Sequence, residues 1–215
     1  MASSRPETLP CPGQHSETSA AIEGAEAWRP NLSWITDRLA VGGSFPTSRA
    51  ADLAHRHRIR AIVDLRVEAC DDTQEVERHG MAFLHLPTED HCAVTAAMLD
   101  EGVAFANRHM DRGERVLVHC EHGIGRSATL ALSVLVSRGH APLEALELAK
   151  TRRALVSPSP AQYEAWAAWL AAWKARSAAS WAWAVPIKDI NESKLNKFFI
   201  LFKRAPSGGP RIRRR

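Results

Sequence analysis

The stretch VLVHCEHGIGRSATLALSVLVSRG, from Val116 to Gly139, constrains the fold more than any other part of the sequence. An apolar run stops at His119 and Cys120, a short loop with two glycines follows, and a helical apolar pattern starts at Arg126. A buried strand followed directly by a buried helix is the repeating unit of α/β proteins. Ligands of such sheets bind beyond the carboxyl ends of the strands, and Cys120 lies at an end of this kind.

The rest of the chain repeats this alternation of apolar runs and helical patterns. LSWITDRLAVGG predicts two short strands around a turn at Thr36 and Asp37, and IRAIVDLR, MAFLHL and RVLVH predict further strands. The last predicted helix places Trp166, Trp169 and Trp173 on one stripe, a pattern typical of core packing. Strands that alternate with helices predict an α/β sandwich whose sheet contains parallel strands.

Length and composition fit one globular domain with terminal extensions. The chain has 215 residues, of which 45% are hydrophobic, and this is enough for a substantial buried core. Residues 1–30 are rich in Ser, Pro, Glu and Gly without periodicity, which predicts disorder. We therefore expect a disordered segment at residues 1–30, a folded domain at 31–175 and a basic tail at 176–215.

The positive charge of the chain belongs to its tail. The net charge is +4, but eleven Lys and Arg residues from Lys174 onward face only Asp189 and Glu192, which leaves −5 for residues 1–173. A domain with this balance lacks the basic surface that nucleic-acid binding requires, so no nucleic-acid partner is expected.

The absence of targeting and membrane signals predicts a cytoplasmic protein. No apolar signal core opens the sequence, and no run approaches the roughly 18 apolar residues of a membrane span. In a reducing compartment Cys11, Cys70, Cys92 and Cys120 are predicted to be free thiols. Cys70 and Cys92 are interpreted as bystanders, with a reversible disulfide to Cys120 under oxidation as the alternative.

The loop after the strand has the parts of an anion site. Gly123 and Gly125 allow the backbone N–H groups to turn inward, and the helix beginning near Arg126 adds roughly half a positive charge at its N-terminus. The Arg126 guanidinium is a planar fork suited to phosphate or sulfate. The same positive field stabilises a Cys120 thiolate and lowers its pKa into the range of roughly 3.5 to 7.5.

Three other readings of the loop are less favoured. A cysteine at a strand end is often only a small buried hydrophobe, but this does not account for the neighbouring glycines and arginine. A metal site made of His119, Cys120, Glu121 and His122 requires consecutive side chains to converge, whereas zinc ligands are usually separated by a few residues. The loop also lacks the lysine of a nucleotide-binding P-loop.

HCEHGIGRSA resembles the signature of the cysteine-dependent protein tyrosine phosphatases, in its compact dual-specificity branch. WITDRLAVGG and IVDLR support the resemblance, which covers residues 32–173. It implies a mixed sheet of four or five strands with helices on both sides, and no metal or organic cofactor. The implied activity is hydrolysis of phosphate monoesters through a phosphocysteine intermediate.

The resemblance also implies roles for individual residues. Cys120 matches the nucleophile, Ser127 the hydroxyl that helps the thiolate to leave, and His119 the residue that supports cysteine ionisation through the loop backbone. The residues implied in phosphate binding are Glu121, His122, Gly123, Ile124, Gly125 and Arg126. The family carries an acidic residue about thirty positions before the cysteine, and Asp90 matches it. Glu89 is the alternative acid, and Asp64 is interpreted as structural.

The expected substrate is a phosphorylated protein, with phosphotyrosine and phosphoserine or phosphothreonine both open. An acidic Glu121 disfavours highly charged inositol phosphates, whereas EDH at residues 89–91 resembles the acid loop of some phosphoinositide phosphatases. A phospholipid substrate is therefore the alternative. Two other classes remain open, namely a rhodanese-type sulfurtransferase and a phosphate-binding module without catalysis.

The tail contains an apolar patch, Phe198 to Phe202, between basic residues. This pattern is compatible with contact to an anionic membrane surface or to an acidic partner. Charge blocks are more commonly solvated extensions, and that is the interpretation favoured here.

Overall fold

The structure, a computed structural model, describes residues 28–178. The chain divides between Trp173 and Lys174 into two units, and the site below belongs to the first. Most of segment 1–30 and of tail 176–215, including the apolar patch, lies outside the described residues, so the predictions made for them stay predictions. Within residues 28–178, every helix is too short or too polar to serve as a membrane span.

Five strands form one mixed sheet, which confirms the predicted fold class. They are β1 (Leu32–Trp34), β2 (Leu39–Gly42), β3 (Ile59–Arg66), β4 (Ala82–Thr88) and β5 (Arg115–His119). Their spatial order is β1-β2-β5-β3-β4, with β1 antiparallel to β2 and all other pairs parallel. β4 continues beyond its predicted end at Leu86 and includes Pro87, which an edge strand tolerates next to an irregularity in pairing.

Within residues 28–178, six α-helices flank the sheet. They are α1 (Ala50–His55), α2 (Thr73–Arg78), α3 (Ala96–Asp111), α4 (Arg126–Ser137), α5 (Pro142–Arg152) and α6 (Pro160–Ala178). A short 3₁₀ turn, Thr47–Arg49, precedes α1, and α1 ends before Arg58, whose φ is +56°. α4 is buried along most of its length, as its apolar pattern predicts.

The hydrophobic core lies on both faces of the sheet. Ile62 of β3 and Leu117 of β5 belong to one cluster with Leu53 of α1 and Val76 of α2. Because side chains alternate between the faces of a strand, the neighbours of Ile62 and Leu117 project to the other face. Helices α3 and α4 contact each other and the sheet.

The tryptophan stripe of α6 is part of the packing, as predicted. Trp166 and Trp169 are buried, and Trp169 Nε1 donates to Asp100 Oδ1 at 2.8 Å. Trp173 stacks on Trp169 with ring centroids 5.0 Å apart. The stripe therefore attaches α6 to the domain and leaves the N-terminal end of this helix beside the site.

The carboxyl ends of β3 and β5 bring two distant segments together. The strands are adjacent and parallel, and their register pairs Asp64 with His119. The residues after β5 turn at this edge before α4 begins at Arg126. Segments that follow parallel strands in this way form the ligand-binding edge of an α/β sheet.

Candidate active site

Residues 120–125, the glycine loop, connect β5 to α4 in a conformation that two glycines permit. Gly123 has a φ of +70°, and a Cβ there would lie 2.5 Å from the Gly42 carbonyl of β2. Gly125 has an ordinary φ, but a Cβ there would lie 2.4 Å from Gln162 Oε1. The first glycine is required for backbone conformation, and the second allows the close approach of α6.

Cys120 is buried at the base of this loop, with 3% of its surface exposed. Its Sγ lies 3.3 Å from Ser127 Oγ. Burial raises the pKa of the Cys120 thiol, but hydrogen bonds from the Ser127 hydroxyl and from backbone N–H groups of the loop outweigh it. The pKa is therefore lowered from its ordinary value, which is the direction that the sequence predicts.

Arg126 is buried at the start of α4 and is held by two segments. Its terminal nitrogens donate to the Glu68 carboxylate at 2.8 and 2.7 Å, and Nη1 also donates to the Thr88 carbonyl at 2.8 Å. Its Nε has no hydrogen-bond partner among the described residues. The hydrogen bond from Arg126 lowers the pKa of Glu68 to about 2, so this carboxylate is charged at neutral pH. Glu68 thus orients the guanidinium while Nε stays available to an oxyanion.

Asp64, Arg66, Asp71 and His119 form a buried charge network next to the glycine loop. Arg66 Nη2 bridges Asp64 at 2.9 Å and Asp71 at 2.6 Å, and His119 Nε2 lies 2.8 Å from Asp71. Burial lowers the pKa of His119, but the negative charge of Asp71 and its hydrogen bond outweigh it and leave the pKa raised. An imidazolium directly preceding Cys120 adds positive charge near the thiol. His119 Nδ1 has no hydrogen-bond partner within the described part of the chain.

Residues 89–93, the acid loop, follow β4 and lie on the other side of the site. Asp90 Oδ1 is 3.4 Å from Arg126 Nε, and the Asp90 side chain is half exposed. Glu89 is also exposed, and its carboxylate lies 3.7 Å from Cys92 Sγ. Asp90 faces the same cleft as Cys120, whereas Glu89 does not line it. Asp64 is committed to the charge network, in agreement with its structural interpretation.

The cleft has a volume of about 180 Å³. It is lined by Asp90, His91, Cys120, His122, Ile124, Gly125, Ser157 and Gln162. Glu121, Gly123 and Arg126, which were predicted to bind substrate, are not in its lining. Glu121 accepts from Ser44 Oγ at 3.2 Å and pairs with Arg66 at 3.6 Å, so its carboxylate is engaged by the scaffold.

Arg153 holds the outer side of the glycine loop and was not predicted. This buried side chain donates to the carbonyls of Gly123 at 2.7 Å and His122 at 2.8 Å. It also donates to Asn31 Oδ1 at 2.9 Å and to Ser33 Oγ at 3.3 Å. Loop carbonyls that accept from Arg153 are turned away from the anion, which leaves the N–H groups facing inward.

Sequence reasoning also missed Glu68, Asp71 and Gln162. Glu68 and Asp71 occur in DLRVEACDD, where a buried strand is followed closely by three acidic residues. That clustering at the end of a strand adjacent to β5 is the signal that was available. Gln162 carried a weaker signal, since it stands three residues after Ser159 as in a capping box.

Two groups of side chains have the composition of a metal site, but their ligand atoms are already engaged. The groups are Asp64, Cys70 and His85, and Asp64, Asp71 and His119. Asp64 and Asp71 pair with Arg66, and His85 Nε2 lies 2.6 Å from the Arg66 carbonyl. His119, Cys120 and Glu121 contact different partners, as expected for consecutive residues that do not share a metal.

The prediction of four free thiols is wrong for Cys70. Cys70 is disulfide-bonded, whereas Cys92 and Cys120 are free, so neither of these two is its partner. The prediction was drawn from the inferred reducing compartment, which does not reveal which sulfur atoms approach each other in the fold.

Comparisons with known protein families agree with this geometry. Residues 43–176 match the family model described as dual specificity phosphatase, catalytic domain. The chain is 32% identical over 127 residues to dual specificity protein phosphatase 1 of Mus musculus, covering 58% of this chain and 33% of that protein. It is 31% identical over 136 residues to phosphatidylglycerophosphatase and protein-tyrosine phosphatase 1 of Rattus norvegicus, covering 60% of this chain and 70% of that protein. The chain thus spans about a third of the length of the first relative.

Solved structures show the same similarity. The crystal structure of PTPMT1 in complex with PI(5)P superposes with a TM-score of 0.64 at 25% identity, covering 68% of this chain and 99% of that one. Tk-PTP in its active form superposes with a TM-score of 0.59 at 26% identity, covering 68% of this chain and 98% of that one.

Proposed function

The chain belongs to the family of dual specificity phosphatase catalytic domains, and from this premise we propose that it hydrolyses phosphate monoesters through a phosphocysteine intermediate. One observation supports the proposal above all others. Cys120, with its lowered pKa, and Asp90 line the same cleft, and Asp90 lies 3.4 Å from Arg126 Nε, an atom without a hydrogen-bond partner among the described residues. This arrangement combines a nucleophile, an oxyanion donor and a proton donor.

In the first step the Cys120 thiolate attacks phosphorus. The S–P bond forms while the bond from phosphorus to the leaving oxygen breaks, and Asp90 transfers a proton to that oxygen. Arg126 Nε and the N–H groups of the glycine loop stabilise the equatorial oxygens. Glu68 and Thr88 hold the guanidinium, so that little reorganisation is needed when the phosphate binds.

In the second step water attacks the phosphocysteine and releases inorganic phosphate. Asp90, which lost its proton in the first step, accepts one from the attacking water. The S–P bond breaks and the electron pair returns to sulfur. The Ser127 hydroxyl, 3.3 Å from Sγ, stabilises the departing thiolate by donating to it. The imidazolium of His119 favours the same anion, and the enzyme returns to its starting state.

The proposed substrate is a phosphorylated protein, and a phospholipid phosphate is the second candidate. The names of the relatives support both, since one is a protein phosphatase and another includes phosphatidylglycerophosphatase. Glu121 no longer argues against an anionic lipid, because its carboxylate is engaged by Ser44 and Arg66. The cleft is lined by His91 and His122, whose ring N–H groups can donate to phosphate oxygens of either kind of substrate.

Hydrolysis of p-nitrophenyl phosphate in EDTA and reductant tests the chemistry. We expect turnover by the wild type and none by the Cys120→Ser variant, whose hydroxyl does not ionise in this pH range. Wild-type rates in the Cys120→Ser variant would contradict the phosphocysteine route. A folded wild type without turnover would favour a phosphate-binding module, and thiosulfate:cyanide transfer in its place would indicate a sulfurtransferase.

Phosphate release from two substrates tests the substrate class. A phosphotyrosyl peptide and phosphatidylglycerophosphate vesicles should be compared at equal accessible phosphate. A higher kcat/KM on the peptide supports the protein substrate. A higher kcat/KM on the vesicles would support a phospholipid substrate instead.

A further inference from the structure

Ser159 connects the acid loop to the N-terminal end of α6. Its hydroxyl donates to the His91 carbonyl at 2.6 Å, across 68 positions of sequence. Gln162 N donates to Ser159 Oγ at 3.2 Å, and Ser159 N donates to Gln162 Oε1 at 2.8 Å. The two residues form the reciprocal pair of a capping box at the start of the helix.

The direction of these hydrogen bonds is determined by their chemistry. A hydroxyl has one proton and two lone pairs, while a carbonyl oxygen and a backbone N–H each have a single role. Ser159 Oγ accepts from the backbone of α6, so its one proton is committed to His91. An N-cap alone requires only the acceptor function, and the donated bond is therefore a separate property of this side chain.

The acid loop needs support from outside its own sequence. Residues 89–93 are all exposed, and His91 has a φ of +60°, a conformation that non-glycine residues adopt rarely. His91 N donates to Asp90 Oδ1 at 3.0 Å, so the backbone at His91 also sets the orientation of the Asp90 carboxylate. A bond to the His91 carbonyl therefore acts on the position of Asp90.

The other end of this connection is the glycine loop. Gln162 is buried and lines the cleft, and the close approach of its Oε1 is the reason that residue 125 is a glycine. Ser157 N also donates to the Ile124 carbonyl at 2.9 Å. The turn before α6 is thus placed against the nucleophile loop, and Ser159 extends from that turn to the acid loop.

We propose that Ser159 is a positioning residue for the general acid. Its hydrogen bond to His91 keeps Asp90 over the cleft, so that proton transfer to the leaving oxygen remains aligned with attack by Cys120. This inference rests on the proposed phosphatase function and adds to it a residue that does not touch substrate. Without the donated bond, the exposed acid loop samples other conformations and the acid is in place for a smaller fraction of the time.

The test compares leaving groups. Phenyl phosphate releases a phenol with a pKa of about 10, like tyrosine, and depends on an acid, whereas p-nitrophenolate leaves more easily without a proton. Three variants separate the two functions of the hydroxyl. Ser159→Thr keeps the donor and the cap, Ser159→Asp keeps only the cap acceptor, and Ser159→Ala keeps neither.

We expect Ser159→Ala and Ser159→Asp to lose about tenfold in kcat/KM on phenyl phosphate and at least severalfold less on p-nitrophenyl phosphate, because kcat/KM reports the first step, in which the leaving group departs. Ser159→Thr should keep the wild-type ratio of the two rates. In Asp90→Asn, Ser159→Ala should cause no further loss, since both changes act on one group. The ratio of the rates on phenyl phosphate and p-nitrophenyl phosphate is the readout, because the added charge of Ser159→Asp weakens binding of the two phosphate dianions alike.

Equal losses on the two substrates, or recovery of the wild-type ratio in Ser159→Asp, would overturn the inference and leave Ser159 as a helix cap only. A further loss in the double variant would overturn it as well. Failure of the proposed function is recognised separately, because the wild type would then turn over neither substrate.

Discussion

The two sides of the cleft are built in different ways. On the nucleophile side, Cys120, Arg126 and the charge network are buried and attached to β3, β5 and α4. On the acid side, Asp90 lies half exposed in a loop between β4 and α3. Oxyanion stabilisation depends on donors that are already fixed, so it benefits from burial. A carboxyl that exchanges a proton with a leaving group and then with water has to remain accessible.

Among substitutions on the buried side that keep Cys120, Arg126→Lys should cause the largest loss of activity. Lysine keeps the charge but lacks the planar fork that contacts Glu68 and leaves Nε for the phosphate. We expect kcat/KM for p-nitrophenyl phosphate to fall about 10³-fold. Arg138→Lys, which alters a surface ion pair with Asp111, is the matched control and should keep activity within about twofold. A fall of less than about tenfold in Arg126→Lys would mean that charge alone is sufficient.

Asp90→Asn should cause a smaller loss, of about 10²-fold, because it removes proton transfer and leaves phosphate binding intact. The decline of kcat on the alkaline side of the pH profile should disappear with the acid. Glu89→Gln, one position earlier, should behave as the wild type. If the larger loss occurs in Glu89→Gln, the assignment of the acid is wrong. Melting temperatures of both variants should stay near that of the wild type, since both side chains are exposed.

Asp71→Asn tests whether the charge network acts on the thiol. Loss of this carboxylate lowers the pKa of His119, and the neutral imidazole then stabilises the Cys120 thiolate less. We expect the pKa of the Cys120 thiol to rise, which the pH dependence of iodoacetamide alkylation would measure. Each unit of rise in this pKa should lower the activity at pH 6 about tenfold. Asp72→Asn, an exposed N-cap of α2, is the control and should leave alkylation unchanged.

The Asp71→Asn variant should also change how the free energy of unfolding depends on pH. The pKa of His119 is raised in the folded state, so the pairing with Asp71 stabilises fully below the ordinary histidine pKa of about 6.5 and is lost as pH rises through the folded value. Asp71→Asn should therefore lower the free energy of unfolding by about 3 kcal/mol at pH 6 and by less at pH 9. An equal loss at both pH values would show that the protonation of His119 does not change between them.

Glu68→Gln should have a modest effect on activity, of a few fold, because Thr88 still accepts from Arg126. Its clearer effect is on acid stability. The pKa of Glu68 is lowered to about 2, so the wild type gains stability from this carboxylate above about 4.5 and loses it as pH falls towards 2. Melting temperatures between pH 5 and 2 should fall less steeply in Glu68→Gln. Glu77→Gln, on the exposed face of α2, should follow the wild-type curve.

Cys92→Ala should have the smallest effect. Cys92 is exposed and lies near the Glu89 carboxylate, whereas Cys120 is the buried thiol with the lowered pKa. Activity and the rate of inactivation by peroxide should both match the wild type. A faster or less reversible inactivation of Cys92→Ala would show that Cys92 forms a protective disulfide with Cys120.

The sequence was informative where the site is local in the chain. The residues from His119 to Ser127 are contiguous, so a strand end, two glycines and an arginine at the start of a helix were visible as one pattern. The α/β fold followed from apolar periodicity, which also located β5 and α4. The resemblance proposed Asp90 through its spacing from Cys120, and Asp90 lines the same cleft as Cys120.

The supporting residues were not predictable in this way, because strand order and packing bring them to the site from distant positions. Asp71 and Glu68 reach the nucleophile side because β3 lies beside β5, an adjacency that periodicity does not reveal. Arg153 reaches the glycine loop from the end of α5. Glu121 was predicted to bind substrate, and its pairing with Arg66 could not be foreseen because it depends on that same strand order.

The contacts of Arg153 bear on where this domain can be divided. The family match begins at residue 43, yet Asn31 and Ser33, which accept from Arg153, precede it and lie on or beside β1. A fragment trimmed to the limits of the match would lose an edge strand and, with it, half the contacts of the guanidinium that turns two loop carbonyls outward. The edge strand β1 is therefore part of the support of the glycine loop. A partner or a protease that displaced β1 would act on catalysis from outside the cleft.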